Sequence, residues 1–350
     1  MSNPILVEVL RGGQVESRHR GTLAIVDADG AVRAAIGDIE RAVFPRSAVK
    51  VLQALPLVAS GAAERLALTD AELALACASH RGEPLHAKTA ASMLAKAGVD
   101  ETCLECGSHW PYDEASARAL AAQGLEPTAL HNNCSGKHAG FVCLGCGIAG
   151  GGVDLRQYLE GYVALEHPVM REVTSALAAT TGVDLDQAPR GIDGRSIPTF
   201  AIPLRALALA FARIGSGTGL SPQHAAAARR LRRAVAREPF MVSGTGRMDT
   251  RVMQRFGERV FMKVGAEGMY CAALPELGLG LAIKIDDGNN ARAAEVAVAA
   301  AIEAALAPDG DDLALLRSYS DATVSNWRGI EVGALRASAA RAWSRSSSAW

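Results

Sequence analysis

Ser47 stands three residues ahead of Lys50, and the apolar run Val51-Leu52-Gln53-Ala54-Leu55-Pro56-Leu57 follows at once. Residues i and i+3 lie on one face of a helix, so a helix starting near Arg46 brings the lysine ammonium to the serine hydroxyl. If that lysine is desolvated, its pKa falls and it becomes a base towards the serine. This is the S-x-x-K arrangement of Ser–Lys hydrolases. An amphipathic helix also carries that spacing by chance, so the rest of the chain has to decide. Ser79-His80 closes the short buried segment Leu73–Ala78, a place that serves either a turn or a cleft.

His131-Asn132-Asn133-Cys134-Ser135-Gly136-Lys137-His138 is the densest polar stretch in the chain. A loop kept only for structure rarely needs paired Asn, a thiol, an ammonium and two His together. Those groups orient polar substrates or hold a metal. Gly191-Ile192-Asp193-Gly194-Arg195-Ser196 reads either as an Asx-type turn or as a carboxylate presented to a substrate ammonium. Lys263, on a predicted strand ahead of Val264-Gly265, either snorkels to water or supplies a second ammonium. Ser243-Gly244-Thr245-Gly246-Arg247 suits a backbone-amide nest for an anion, without the spacing of a Walker loop.

Other clusters have plainer readings. Cys103/Cys106 and Cys143/Cys146 are two Cys-x-x-Cys pairs, too widely separated for the usual zinc ribbon. The second pair lies in an apolar stretch, which favours buried inert thiols. An odd total of seven cysteines argues against a disulfide framework. Arg229, Arg230, Arg232, Arg233 and Arg237 fall on one predicted helix and read as a solvated face. The net charge of −1 lacks the basic excess of a general nucleic-acid binder. No charged segment followed by a long apolar run opens the chain, and the richest apolar run, Ala293 to Leu306, is broken by Glu295 and Glu303. A soluble cytoplasmic protein with no membrane partner is expected.

Strands are expected at Ile5–Leu10, Gly21–Val26 and Ala31–Ile36, with a hairpin turn at Asp27-Ala28-Asp29-Gly30. A helix follows over about 46–60. From about 84 to 239 the spacing is mostly helical. Three consecutive strands come next, at Arg259–Val264, Met269–Leu274 and Leu279–Lys284, and then a helix over about 290–307. This order predicts an α+β fold. Its antiparallel sheet is built from N- and C-terminal strands, flanked by helices, with an inserted helical region. One domain over 1–335 and a Ser-, Ala- and Arg-rich disordered tail over 336–350 complete the expectation.

Several motifs in order give the chain a wider likeness. They are Arg46-Ser47-Ala48-Val49-Lys50, Ser79-His80, Cys106-Gly107-Ser108-His109-Trp110-Pro111, the His131–His138 stretch, Gly191-Ile192-Asp193-Gly194, Gly244-Thr245-Gly246-Arg247 and Lys263-Val264-Gly265-Ala266-Glu267-Gly268. Together they resemble the bacterial L-asparaginase II family of the Rhizobium etli inducible type. The resemblance implies a fold similar to serine β-lactamases and penicillin-binding proteins. It implies hydrolysis of L-asparagine to L-aspartate and ammonia, a homodimer, and no organic cofactor. It implies two Ser–Lys pairs, Ser47 with Lys50 and Ser79 with Lys263, with Arg46, His80, Asn133, Lys137 and Asp193 about the substrate. It also implies zinc, held by Cys134, Lys137 and a cysteine after the Asp-Gly turn. Arg195 stands where that cysteine is expected, so one ligand is missing, and a fixed positive charge for the substrate α-carboxylate takes its place. Broader Ser–Lys amidohydrolases acting on glutamine, another amide or a lactam, and a non-catalytic amino-acid or metal-binding homologue, are the alternatives.

Overall fold

A computed structural model describes residues 2–150 and 152–338. The chain forms two compact units. One takes the residues up to Ala48, Ala201–Ser216 and those from Met262 on; the other takes Val49–Phe200 and Gly217–Phe261.

The first unit is built on an eight-stranded sheet. The long strand Gln14–Asp27 turns back on Ile5–Arg11 through Gly12-Gly13. Both glycines have positive φ, 52° and 81°, which is what the two central residues of a type I′ hairpin turn require. The other end of the same strand pairs antiparallel with Leu279–Ile285, Leu23 facing Ile283 and Ala24 facing Ala282. The sheet is therefore made from both ends of the chain, as the α+β reading requires. Beyond Leu279–Ile285 come Met269–Leu274 and then Phe261–Val264, which carries Lys263.

Met269–Leu274 is buried at every position. Successive side chains point to opposite faces, so such a strand needs cover on both sides. The helix Leu204–Ser216 packs closely on the sheet because Gly280 has no side chain: a Cβ there would fall 2.0 Å from the Ala208 carbonyl oxygen. The helix Glu295–Leu306 also packs on this unit's strands.

Three differences from the sequence expectation concern this unit. Asp321–Ser325 and Glu331–Ala337 are strands, and Glu331–Ala337 pairs with Ile5–Arg11 in the sheet. Arg336 and Ala337 thus belong to an ordered strand and not to a tail; the rest of the expected tail, from 339, lies outside the described residues. The helix expected at 290–307 opens with one π-helical turn, Asn290–Ala294.

The second unit is helical. The helical region expected over 84–239 is joined by helices on either side of it, Lys50–Ala59, Asp70–Ala76 and Met248–Phe256. The segment Leu73–Ala78 thus lies mostly in a helix. Thr69 and Glu72 form a capping box at its start, and Lys96 donates to Glu72 at 2.6 Å. The arginine-rich helix Pro222–Arg237 is tied to it, Arg230 and Arg237 both pairing with Asp70. Among the described residues no helix is long and apolar enough to cross a membrane.

Candidate active site

Lys50 opens its helix directly after the 3-10 turn Arg46–Val49, and its side chain is buried. The amine donates to the Ala78 carbonyl oxygen and, at 2.9 Å, to Ser79 Oγ. The Cys134 sulfur also lies 2.9 Å from it. Burial pushes the Lys50 pKa below the ordinary lysine range, and nearby Lys137 pushes it the same way, while Cys134 opposes. Burial raises the Cys134 thiol, but Lys50 and Lys137 outweigh that and hold it below its usual value. The Lys50 amine therefore gives up its proton more readily than an ordinary lysine, and it does so beside the Ser79 hydroxyl.

Ser79 is positioned by backbone. The helix Asp70–Ala76 ends, and the chain runs on with Ser79 N donating to the Val242 carbonyl and His80 N to that of Asn133. His80 is wholly buried, stacked on His86 with ring centroids 4.7 Å apart. Its Nδ1 accepts from the Gly82 backbone, so Nε2 carries the hydrogen and donates to Ser135 Oγ at 3.0 Å. Burial keeps the ring neutral. His80 thus fastens the Ser79 segment to the start of the helix Ser135–Ala149.

The stretch 131–138 runs from the end of a 3-10 turn, Ala129–His131, through a short turn into that helix's first turn. Cys134 is the N-cap, and Ser135, Gly136 and Lys137 form the first turn. Gly136 lies against the helix carrying Leu75; a Cβ there would fall 2.4 Å from the Leu75 carbonyl oxygen. Gly140, one turn on, faces Ala76. This close approach brings Cys134 and Lys137 near Lys50 and Ser79.

Asp193 and Arg195 sit on the turn between the short strands Arg190–Ile192 and Pro198–Phe200. Asp193 Oδ1 accepts from the backbone of Arg195 and Ile197, an Asx geometry, while Oδ2 lies 3.3 Å from buried Lys137 Nζ. Burial raises the Asp193 pKa, but Lys137 and those amides hold it below the usual carboxylate value. Arg195 Nε donates to the Oδ1 atoms of Asn132 at 3.1 Å and Asn133 at 3.2 Å. Its other nitrogens reach the Gly194 carbonyl and the Tyr112 hydroxyl.

The sequence reading singled out neither Asn132 nor His109 as an individual site residue. Asn132 is a buried hub: Nδ2 donates to the carbonyls of Cys106 and Gly107, and Oδ1 also accepts from Cys134 N. His109 accepts from Asn133 N at 3.0 Å and stacks on Tyr112. The signal for His109 was its place in the Cys106–Pro111 motif; Tyr112, next along, had none.

Ser47 and Lys263 belong to the sheet unit. Ser47 follows Arg46, whose φ of 51° is a strained left-handed conformation for a residue with a Cβ. Such strain tends to be held at functional positions. Lys263 is buried on its strand. Two residues on, Gly265 leaves room for the Pro45 carbonyl, 2.7 Å from where its Cβ would stand. The turn carrying Ser47 thus packs against the end of the Lys263 strand.

The donor set does not fit zinc in the expected manner. Tetrahedral zinc needs lone pairs from thiolate, imidazole, amine or carboxylate, and a guanidinium offers none. Cys134 and Lys137 are the only expected ligands left, each already set against an opposite partner. No group of three His, Cys, Asp or Glu suited to a metal occurs among the described residues. The Cys-x-x-Cys pairs are isolated thiols; burial pushes Cys106 up to about 12 and Cys143 up as well. The expected anion nest at Ser243–Arg247 is filled by the chain itself, Glu83 accepting from Thr245 N and Oγ1.

Solved structures are among the proteins similar to this chain, two of them as follows. One is a β-lactamase from Mycobacterium bovis, 16% identical, covering 81% of this chain and 94% of that one, with a TM-score of 0.40. The other is the protein Mglu, 14% identical, covering 84% and 69%, with a TM-score of 0.37. No curated protein matches in sequence. The sequence model of the L-asparaginase II family matches residues 7–337, almost the whole described chain. The protein belongs to the L-asparaginase II family and is an amidohydrolase.

Proposed function

We propose that this protein hydrolyses the side-chain amide of L-asparagine to L-aspartate and ammonia, with Ser47 as nucleophile and Lys50 as its base. The observation that carries the reading is Lys50, a buried amine with a lowered pKa, 2.9 Å from the Ser79 hydroxyl; the choice of Ser47 as nucleophile rests on its S-x-x-K spacing from Lys50 and on the family resemblance. An amide is a poor electrophile, so the serine has to lose its proton as it attacks. Lys50 takes that proton while Ser47 Oγ bonds to the amide carbon. The C–N bond then breaks, and ammonia leaves with a proton returned to it. Water cleaves the resulting aspartyl ester and restores the serine. Ser79, hydrogen-bonded to Lys50 and coupled by family resemblance to Lys263, relays protons.

Substrate selection follows from charge. Lys137 and Arg195 outnumber the single carboxylate of Asp193, which favours a ligand with a free carboxylate. Arg195 takes the α-carboxylate, Asp193 contacts the substrate ammonium, and Asn133, Lys137, Arg46 and His80 complete the set by resemblance. The same resemblance implies a homodimer.

Rapid quenching with asparagine followed by peptide mass spectrometry tests the nucleophile. An aspartyl ester on Ser47, and no ammonia release by Ser47→Ala, are expected. An ester on Ser79 instead overturns the assignment, and asparagine binding without any ammonia release overturns the activity. Arg195→Ala should raise KM about 10- to 100-fold, the loss of one charge-assisted hydrogen bond of about 1.5–3 kcal/mol, with a smaller change in kcat. An unchanged KM in steady-state ammonia assays removes Arg195 from carboxylate binding.

A further inference from the structure

A zinc ion at the family's position would do two physical things. It would tie the segment carrying Cys134 and Lys137 to the turn after Asp193, and it would place fixed positive charge at that junction. We infer that Arg195 does both, so that this protein is built to fold and operate without zinc. The inference rests on family membership and not on the choice of substrate.

The link is already made by hydrogen bonds. Arg195 Nε joins its turn to Asn132 and Asn133, the residues immediately before Cys134. The Arg195 backbone N–H, at 2.7 Å from Asp193 Oδ1, locks the turn from within. Tyr112 and the Gly194 carbonyl hold the end of the guanidinium. The charge is permanent, since arginine is not deprotonated in proteins.

The remaining donors are committed. Cys134 Sγ lies 2.9 Å from Lys50 Nζ, and Lys137 Nζ faces Asp193 Oδ2 at 3.3 Å. Asp193 Oδ1 already accepts two backbone hydrogen bonds. A divalent cation entering this cluster would meet three basic side chains and would have to displace an ion pair to gain each ligand.

Metal analysis of the purified, refolding-competent full chain tests this. After incubation with excess zinc and desalting, the wild type is expected to retain less than about 0.1 equivalent, and its unfolding temperature should not change with chelator. Arg195→Cys is expected to retain about one equivalent, to unfold at a lower temperature once chelator is added, and to lose the metal when combined with Cys134→Ser. A wild type that keeps about one equivalent and is destabilised by chelator overturns the inference. So does a folded Arg195→Cys, checked by circular dichroism, that binds no zinc. If Arg195→Cys does not fold, the wild-type measurement decides alone. None of these readouts uses asparagine, so they stand or fall apart from the proposed reaction.

Discussion

Lys50→Met is expected to lower ammonia release from asparagine by about 10³-fold, the middle of the range for loss of a general base, in a protein that remains folded. Methionine matches the unbranched shape of the lysine stem and packs adaptably. Removing a buried amine relieves its desolvation cost, while the Ala78 carbonyl and the Ser79 hydroxyl each lose one donor, at a cost of about 1–3 kcal/mol. These effects oppose, so the unfolding free energy should stay within about 2 kcal/mol of wild type. The split between activity and stability identifies Lys50 as chemical and not structural. Lys50→Arg sharpens it. Arginine keeps the charge and the hydrogen-bonding capacity but cannot give up its proton. If Lys50 acts as a base, Lys50→Arg is as inactive as Lys50→Met. Near-wild-type kcat in Lys50→Arg would mean that the residue serves only as a positive charge.

The legible parts of the fold were those whose signal is local. Met269–Leu274 was placed to the residue and Leu279–Ile285 to within one, because each is a largely apolar run ended by Pro275-Glu276-Leu277-Gly278 or by Asp286-Asp287-Gly288. Leu73–Ala78 was read as a buried segment without a choice of helix or strand, since the helix it ends, Asp70–Ala76, has too few residues for a 3.6 period to declare itself. Glu331–Ala337 was hidden for a different reason. Only half-buried, it shows no clean alternation, and its order comes from pairing with a strand at the opposite end of the chain, Arg336 facing Glu8. Composition read that end as a tail because composition cannot see a partner. The site divides the same way. Ser47, Ser79, Asp193 and the 131–138 stretch announced themselves as motifs. That Lys50 lies against both Ser79 and Cys134, residues 29 and 84 positions away, is a product of helix packing that no local period carries. The same holds for Asn132 as hub and for Tyr112 as a support of Arg195.

That packing makes Gly136→Ala the second large effect, a single methyl group expected to cost about 1–3 kcal/mol of stability and about 10²-fold in kcat. The new Cβ would lie 2.4 Å from both Leu75 Cγ and the Leu75 carbonyl oxygen. The side chain can rotate away. The carbonyl cannot, because it accepts the Ala78 N–H at the end of its helix. The helices Asp70–Ala76 and Ser135–Ala149 must then move apart by about 1 Å to reach ordinary van der Waals separation. Cys134 and Lys137 flank Gly136 in sequence, and Ser79 follows the displaced carbonyl by four residues, so the shift falls directly on the Lys50–Ser79–Cys134 cluster. Misplacement on that scale is enough to cost about 10²-fold. Gly140→Ala is the control. Its nearest neighbour is the Ala76 Cβ at 3.1 Å, a milder contact with a side chain instead of a carbonyl. Urea unfolding and steady-state ammonia release on both variants should show Gly136→Ala losing activity even where the protein is fully folded, with Gly140→Ala close to wild type in kcat. Equal and small effects from the two would mean that the approach of these helices does not set the geometry of the site.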